Sequence, residues 1–454
     1  MDAGTLDPAK SPPRTRATLP IASAATLLAL MNYTAPTTVL ADVARELRAD
    51  IGGQTWILNG ISLGLAALLL TAGSLADNYG RRRLFAIGSL VLAASSVLCA
   101  AAPTVWLFVV GRLVQGAASA ALIAAGLGLV AHTYTEPAAR ARGTAVWSAM
   151  LGLGIALGPL VSALFGAFTH WRIFYVAVSV ASVALAAGAV RWLDETRAER
   201  ARRVDLPGML TMTGAVALLV TALTLGRTGW SDPAVWVSAL GALALLAAFG
   251  VIESRRPEPM LDLALLRRPA FVGATLAALV TGLSVIGLMN YFPPVLQQVT
   301  GIGPVAGALV FGIWAVTSFV VALVARRLSW SAGRQLVWGM VLAGVGELAM
   351  FGAAEAGSWS QAVPGLLVAG VASGVLNAAL AGQAVATVPA DRASMGSGAN
   401  NTARYIGSSV GVAVVVAVVS AGRNPAHGID LALIVSAATA FAGAVGIALL
   451  SRKN

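Results

Sequence analysis

The sequence predicts an all-α polytopic membrane protein with about fourteen transmembrane helices, and three observations indicate this fold class. Of the 454 residues, 58% are hydrophobic and 11% are charged, whereas soluble domains run nearer a quarter charged. The apolar residues come in blocks long enough to cross a bilayer, which takes about 20 residues per helix. The charged residues fall in the short segments between these blocks. Such a chain needs lipid as its solvent.

The individual helices are apolar blocks bounded by charges or by proline and glycine. The expected spans are residues 17–41, 54–76, 83–101, 104–131, 143–166, 171–191, 206–226, 233–252, 270–297, 303–325, 335–354, 362–388, 394–420 and 429–450. Because fourteen is an even number, both termini are expected on the same side of the membrane.

The distribution of lysine and arginine predicts which side that is. Of the 30 basic residues, 23 fall in segments on the side of the termini, 5 fall on the other side, and Arg112 and Arg404 lie in or at the edge of spans. Basic loops favour the cytoplasmic face, so we expect a multi-pass inner (plasma) membrane protein with both termini in the cytoplasm. The net charge of +11 then reflects topology, and we expect no nucleic acid partner.

The spans group into two six-helix bundles with an inserted helix pair. We expect a cytoplasmic tail over 1–16, a first bundle over 17–193, basic loops and the inserted pair over 194–269, a second bundle over 270–450 and a short cytoplasmic tail over 451–454. A single polypeptide with two bundles is expected to act as a monomer.

Catalytic and metal-binding motifs are missing from the sequence. The chain has one cysteine and three widely separated histidines, with no G-x-S-x-G, P-loop or metal-ligand spacing. We therefore expect no enzyme activity, no metal and no cofactor. Any energy for transport would come from an ion gradient.

The segment after the second span carries a dense pattern of glycine and charge. It reads Gly73-Ser-Leu-Ala-Asp77-Asn-Tyr-Gly80-Arg81-Arg82. The glycines suit a tight turn and a close helix approach, and Asp77 can cap a helix or pair with an arginine across the bundle. Every fixed position of G-x-L-A-D-x-x-G-R-[RK] is met, so the segment resembles motif A of the major facilitator superfamily. That resemblance implies alternating-access transport by two packed bundles.

The fourth span carries a second pattern, Arg112-Leu-Val-Gln-Gly116. It resembles motif B of the same superfamily, R-x-x-x-G. A guanidinium inside a membrane helix is costly and should face the bundle interior. The resemblance implies a role for Arg112 in proton transfer. The alternative is a structural arginine that binds backbone carbonyls.

The fifth span carries Gly154-Ile-Ala-Leu-Gly158-Pro159, which resembles motif C, G-x-x-x-G-P. Gly154 and Gly158 are four residues apart and share one helix face, which allows tight packing, and Pro159 is expected to kink the helix. In the superfamily this motif is associated with antiporters, so the resemblance implies export and a seal of the outward half.

Further segments look like the fourteen-helix drug:proton antiporter branch, including Trp171-Arg172 at the sixth span and Asp205-Leu-Pro-Gly208 at the seventh. One position departs from that branch. The first span of the branch usually holds an aspartate where this chain has Asn32, and an asparagine cannot carry a proton. The usual carrier is therefore missing unless Asp42, at the outer end of the span, replaces it.

Among the 19 acidic residues, Glu347 alone lies well inside a predicted span. An ionisable group at that depth is a functional candidate. Our hypothesis is that Glu347 binds a proton or a cationic substrate; a structural polar contact is the alternative.

Polar and aromatic residues and prolines within the spans suggest an amphipathic substrate cavity. They are Asn32, Tyr33 and Thr34 in span 1; Asn290, Tyr291, Pro293, Pro294 and Gln297 in span 9; Trp314 in span 10; Asn377 and Gln383 in span 12; and Asn400, Asn401 and Arg404 in span 13.

Together these patterns predict a secondary active exporter of drugs, antibiotics or similar hydrophobic or amphipathic compounds, in exchange for protons. Asp77 and Arg82 are expected to form the inward-closing contact, and Arg112 and Glu347 to handle charge. Two alternatives remain open: an ion-coupled uptake symporter, and an exporter of one metabolite with altered proton coupling.

Overall fold

The computed structural model describes residues 13–197, 205–226, 229–256, 259, 263–325, 327–328 and 330–451. These residues form sixteen α-helices and no β-strand. The helices are α1 Pro13–Thr34, α2 Pro36–Leu47, α3 Ile51–Tyr79, α4 Arg81–Ala101, α5 Val105–Thr133, α6 Pro137–Phe168, α7 Trp171–Trp192, α8 Leu206–Gly226, α9 Pro233–Arg255, α10 Pro269–Thr281, α11 Gly287–Thr300, α12 Pro304–Ala325, α13 Ala332–Leu348, α14 Trp359–Ala386, α15 Ala393–Ala421 and α16 Pro425–Ser451. A π-helical turn, Gly282–Ile286, joins α10 to α11.

Parts of the expected tails and basic loops fall outside the described residues. The residues outside are 1–12, 198–204, 227–228, 257–258, 260–262, 326, 329 and 452–454. The expected division of the chain at 16, 193, 269 and 450 stays a prediction.

Twelve helices of the described chain are long and apolar enough to cross a membrane. The expected count of fourteen is thus not supported by length and composition alone. Two predicted spans are not among these twelve helices, because each contains a shorter or interrupted helix. Span 17–41 is divided between α1 and α2 by a bend at Ala35, and span 335–354 contains only the 17-residue helix α13.

The helices pack as two bundles joined by a helix pair. Helices α1–α7 pack among themselves, as do α10–α16, and α8 and α9 pack along each other. Helix α8 also lies against α3 and α15. Between the bundles, α15 packs on α3 and α5, while α6 packs on α12 and α14. We call the surface where the two bundles meet the seam.

Small residues bring the helices of the first bundle close together. A Cβ atom on Gly116 of α5 would touch the Ile61 carbonyl and lie 2.7 Å from the Leu65 backbone nitrogen, both on α3. Any side chain at 116 would force α3 and α5 apart. The motif B glycine therefore sets the spacing of this helix pair.

The bundles have two distinguishable ends. At one end α3, α5 and α7 finish and α15 begins, with Gly73 and Gly128 both against Ser394. We call this the motif-A end. At the other, α6 finishes near α2, with Thr38 bonded to Pro159. We call this the motif-C end.

Candidate functional site

A buried ion pair lies at the motif-A end. The Arg81 guanidinium donates to Asp77 Oδ1 from Nη2 at 2.8 Å and from Nε at 3.0 Å. Both side chains are fully buried. Two charges out of water are tolerated because they are paired and hydrogen-bonded with good geometry.

Asp77 also binds the opposite bundle. Its Oδ2 accepts a hydrogen bond of 2.9 Å from the Met395 backbone N–H, in the first turn of α15. That N–H has no partner within its own helix. Arg81 Nε donates to Ser394 Oγ at 3.1 Å. Asp77 thus caps α15 from across the seam, where a carboxylate also complements the positive end of the helix dipole.

Arg82, which was expected to join Asp77 in this contact, has other partners in the structure. Arg82 Nε lies 3.7 Å from Glu195 Oε2, and Arg82 Nη1 donates to the Leu193 carbonyl at 3.3 Å. Both partners follow α7, so Arg82 stays within the first bundle. Arg81 and Arg82 are successive residues in the first turn of α4, so their side chains point about 100° apart around that helix and meet different partners.

Steric contacts explain why two positions of motif A hold glycine. A Cβ added at Gly73 would collide with the Ser394 carbonyl and lie 3.0 Å from Met395 Cα. Gly80 has φ of +117°, and a Cβ there would lie 2.5 Å from Glu195 Oε1. Position 73 therefore permits closure of the seam, and position 80 permits the turn from α3 into α4.

The motif B arginine binds the bend between α1 and α2. Pro36 has no N–H, so the carbonyl of Asn32, four residues earlier, loses its helical partner. Arg112 Nη1 donates to that carbonyl at 2.7 Å and to Asn32 Oδ1 at 3.3 Å, and Nη2 donates to the Tyr33 carbonyl at 3.1 Å. Nη1 also donates to Gln115 Oε1 at 3.0 Å. The fully buried Arg112 is the hydrogen-bond donor that supports the bend.

We expect Arg112→Met to destabilise the protein by about 2–4 kcal/mol, because it leaves buried carbonyls of the bend without donors. Thermal unfolding of the purified protein measures this effect, with Arg142→Met as the control, since Arg142 is exposed at the start of α6. An unfolding midpoint equal to that of the control would contradict this structural role.

The motif C glycines form the contact between α6 and α1. A Cβ on Gly154 would lie 2.6 Å from the Leu27 carbonyl and 2.8 Å from Leu30 Cβ. A Cβ on Gly158 would collide with Thr34 Oγ1 and the Met31 carbonyl. The two helices therefore touch backbone to backbone along this face.

Pro159 creates a second carbonyl without a helical partner, that of Ile155. Thr34 Oγ1 donates to this carbonyl at 3.2 Å, and Thr38 Oγ1, one turn later, donates to the Pro159 carbonyl at 2.9 Å. Thus Pro36 and Pro159 each release a carbonyl, and side chains of neighbouring helices bind them. The bent first helix is the common partner of motifs B and C.

A narrow, partly open cavity lies between the bundles at the motif-C end, and its empty space of about 400 Å³ includes space that is continuous with the surroundings. The first bundle contributes Thr34, Thr37, Thr38 and Pro159. The second contributes Asn290, Pro293 and Gln297 among others. The complete lining is Thr34, Thr37, Thr38, Pro159, Met289, Asn290, Pro293, Pro294, Gln297, Gly307, Ala308 and Phe311. It offers hydroxyl and amide groups on an apolar wall, which suits an amphipathic molecule.

Polar residues from both bundles meet beside this cavity. We call them the seam cluster. Its hydrogen bonds are long: Ser62 Oγ donates to Tyr33 Oη at 3.4 Å, and Asn290 Nδ2 reaches Tyr33 Oη at 3.5 Å and Ser408 Oγ at 3.4 Å. The rings of Tyr33 and Tyr405 meet edge to face, 5.8 Å apart. The cluster comprises Tyr33, Ser62, Asn290, Arg404, Tyr405 and Ser408.

Other candidates lie apart from the cavity. Asp42 pairs with Arg45 at 3.0 Å and its side chain is 54% exposed. Its expected role as a replacement for the carboxylate missing at Asn32 stays a prediction. Asn401 donates to the Ser397 carbonyl of its own helix at 3.0 Å. Tyr291 is half-buried and packs against the apolar core.

Glu347 is fully buried near the end of α13, and neither carboxylate oxygen has a hydrogen-bond partner among the described residues. Helix α13 packs on α14 and α16, with Gly346 against Ala369 and Gly344 against Phe441. Glu347 is not part of the cavity lining. Its expected role in proton or substrate binding stays a prediction.

Several contributors could not be recognised from the sequence. The backbone N–H of Met395 carries no sequence signal, and Ser62 and Ser408 are single serines in apolar helices. Thr38 could have been found, because it stands four residues after Thr34 on the same face. Asp430 is a further buried acid, and its Oδ1 accepts from the Gly352 N–H at 3.1 Å.

A family model, the Major Facilitator Superfamily, matches residues 22–412. The chain belongs to the major facilitator superfamily. Two transporters of known structure share its fold. They are the human organic anion transporter MFSD10 (TETRAN), with a TM-score of 0.68 at 17% identity over 96% of this chain and 100% of that one, and the proton:xylose symporter XylE, with a TM-score of 0.68 at 12% identity over 95% and 94%.

Sequence relatives within the superfamily are resistance and export proteins. The multidrug resistance protein Stp of Mycobacterium tuberculosis (strain CDC 1551 / Oshkosh) is 31% identical over 84% of this chain and 72% of its own. The puromycin resistance protein pur8 of Streptomyces alboniger is 31% identical over 94% and 88%. The probable actinorhodin transporter of Streptomyces coelicolor (strain ATCC BAA-471 / A3(2) / M145) is 34% identical over 83% and 68%. The expected kinship with drug-efflux transporters is thereby confirmed.

Proposed function

We propose that this protein exports hydrophobic or amphipathic compounds, such as drugs or antibiotics, from the cytoplasm by alternating access. The observation that carries the proposal is the cross-bundle contact of Asp77 and Arg81 with the start of α15, at the end opposite the cavity. A seam packed at one end and a cavity at the other is what one facing state of such a transporter requires. The names of the resistance and export relatives support export as the direction of transport.

We propose that the motif-A end lies on the cytoplasmic side of the plasma membrane, with both termini on that side. The excess of arginine in the segments at that end supports this orientation. We further propose fourteen crossings, as in the fourteen-helix antiporter branch. Helix α1 packs on α5, α6 and α7, and α13 packs on α14 and α16. At 1.5 Å per residue, the 17 residues of α13 extend about 26 Å, close to the bilayer core.

We propose that proton uptake drives export and that Glu347 takes part in it. A carboxylate buried without a hydrogen-bond partner is costly in its charged form, and protonation removes that cost. The protein is proposed to act as a monomer, because one chain supplies both sides of the cavity.

Glu347→Gln is expected to abolish the response of transport to a pH gradient while leaving substrate binding within about twofold, since glutamine keeps the shape but carries no proton. Glu355→Gln is the control, because Glu355 is exposed beyond α13. Full pH-driven transport by Glu347→Gln would remove Glu347 from the mechanism.

Transport by the purified protein in liposomes tests the function itself. A cationic dye and a neutral antibiotic are followed in parallel under an imposed pH gradient. We expect gradient-driven movement of at least one compound in the export direction, abolished by a protonophore. Movement in the opposite direction would indicate uptake, and movement of neither compound by folded protein would count against the proposal.

A further inference from the structure

Two buried arginines of the described chain have no carboxylate partner. Arg112 and Arg404 are both at least nine-tenths buried. The hydrogen-bond acceptors of Arg112 are backbone carbonyls and side-chain amides, all of them neutral. Asn32 stands beside Arg112 where a carboxylate would have neutralised it.

Arg404 has still fewer partners. It is 6% exposed, and its guanidinium makes no hydrogen bond or ion pair with any residue that the structure describes. Its Nε atom is shielded from water and unpartnered. The backbone of Arg404 is tightly packed, since a Cβ on Gly282 would touch its carbonyl. A fixed backbone holds this side chain at about 16 Å along α15 from Ala393, near the middle of the membrane.

The surroundings of Arg404 are polar but uncharged. The phenol groups of Tyr33 and Tyr405 are close enough to Arg404 to interact with its charge. No ion pair joins Arg404 to an acid among the described residues. Asp77 binds Arg81 and α15, and Glu347 lies in α13, which packs on α14 and α16.

The seam cluster adjoins the cavity. Asn290 belongs to both, because it lines the cavity and its amide points at Tyr33 Oη and Ser408 Oγ. A molecule in the cavity can therefore present one end to the cluster. An unpaired buried guanidinium is strongly unfavourable, and an acidic group, with two oxygens for its planar fork, is the partner that relieves it.

We propose that the seam cluster binds the acidic group of the transported compound, with Arg404 as its charge partner. The substrates are hydrophobic organic acids, carboxylic or phenolic, whose apolar body lies in the cavity. This inference rests on the proposed export function and names its substrate class. Because the cluster draws on both bundles, the acid binds most tightly when the bundles bring Tyr33 and Arg404 together, which supplies the difference in affinity that alternating access needs.

Two xanthene dyes of similar size and opposite charge test the proposal. Binding of anionic fluorescein and cationic rhodamine 6G to the purified full chain is measured by fluorescence polarisation. We expect the wild-type protein to prefer fluorescein. Arg404→Gln is expected to raise the dissociation constant for fluorescein about tenfold to hundredfold, as for loss of a charged hydrogen bond, and to change that for rhodamine 6G about twofold or less.

Arg423→Gln is the matched control, because it removes one positive charge from the same bundle at an exposed position between α15 and α16. Arg404→Lys keeps the charge and is expected to retain most of the preference. If Arg404→Gln does not fold, Tyr33→Phe, which removes one hydroxyl of the cluster, is expected to weaken fluorescein binding selectively.

A wild-type preference for rhodamine 6G would overturn the inference, as would equal weakening of both dyes by Arg404→Gln. Such results, together with gradient-driven transport of a cationic or neutral compound, leave the export function standing. Failure of the wild-type protein to transport any compound would instead count against export.

Discussion

Replacing Asp77 by asparagine is expected to open the motif-A end and to lower transport about tenfold or more. The substitution leaves the Arg81 guanidinium buried without a carboxylate, which destabilises the closed arrangement by about 3–5 kcal/mol. It also removes the negative charge from the start of α15, where Met395 donates to Asp77. The protein should then spend most of its time open at that end.

Labelling of a buried cysteine measures this opening. Ser397 is fully buried one turn beyond Ser394 on α15, and Cys99 is the only native cysteine. In a Cys99→Ser background, a cysteine at 397 should react with a maleimide rapidly with Asp77→Asn and slowly without it. Asp50→Asn is the control, since it makes the same chemical change at the other end of α3, where asparagine still caps the helix. Equal labelling of the three proteins would contradict the role of Asp77.

Gly158→Ala is expected to lower transport about tenfold and to destabilise the protein by about 1–3 kcal/mol, although alanine is the better helix former. The added methyl group collides with Thr34 Oγ1 and the Met31 carbonyl. Separation of α1 from α6 also breaks the bonds from Thr34 to Ile155 and from Thr38 to Pro159. The bend that Arg112 supports then loses its second contact.

Gly250→Ala provides the comparison, because no atom lies within 4 Å of a Cβ added at this position of α9. There the gain in helix propensity should stand alone, so stability should rise slightly and transport should be unchanged. Thermal unfolding and liposome transport of both variants give the result. A stabilised and fully active Gly158→Ala protein would show that the close contact of α1 and α6 is dispensable.

The helices and the positions of the motifs could be predicted from the sequence because both depend on local patterns. Apolar blocks mark where a helix can exist in lipid, and the spacing of Gly154 and Gly158 marks a shared face. The identity of their partners could not be read in the same way. The partner of Asp77 in the second bundle is a backbone N–H 318 residues away. A backbone N–H is present at nearly every residue, so the sequence does not identify this one.

The positions of two side chains could not be read from the sequence, for physical reasons. Arg81 and Arg82 are equally basic neighbours, and only the direction of each side chain on α4 decides which one meets Asp77. Glu347 satisfies the depth criterion, but depth along the membrane does not say which face of α13 it occupies. The two proline effects were recognisable in part, since a proline always releases the carbonyl four residues earlier. The donors, Arg112 and Thr34, had to come from the fold.

Alternating access requires the two ends of the seam to move in opposite directions, and two distances across the seam measure this motion directly. Spin labels at Arg142→Cys and Arg334→Cys report on the motif-A end, and labels at Thr169→Cys and Gln361→Cys report on the motif-C end; all four positions are exposed. Double electron–electron resonance in a Cys99→Ser background gives both distances with and without a transported dye and with Asp77→Asn. We expect Asp77→Asn to lengthen the first distance and shorten the second, and the dye to shift the two in opposite directions. Distances that stay fixed, or that change together, would contradict alternating access around this seam.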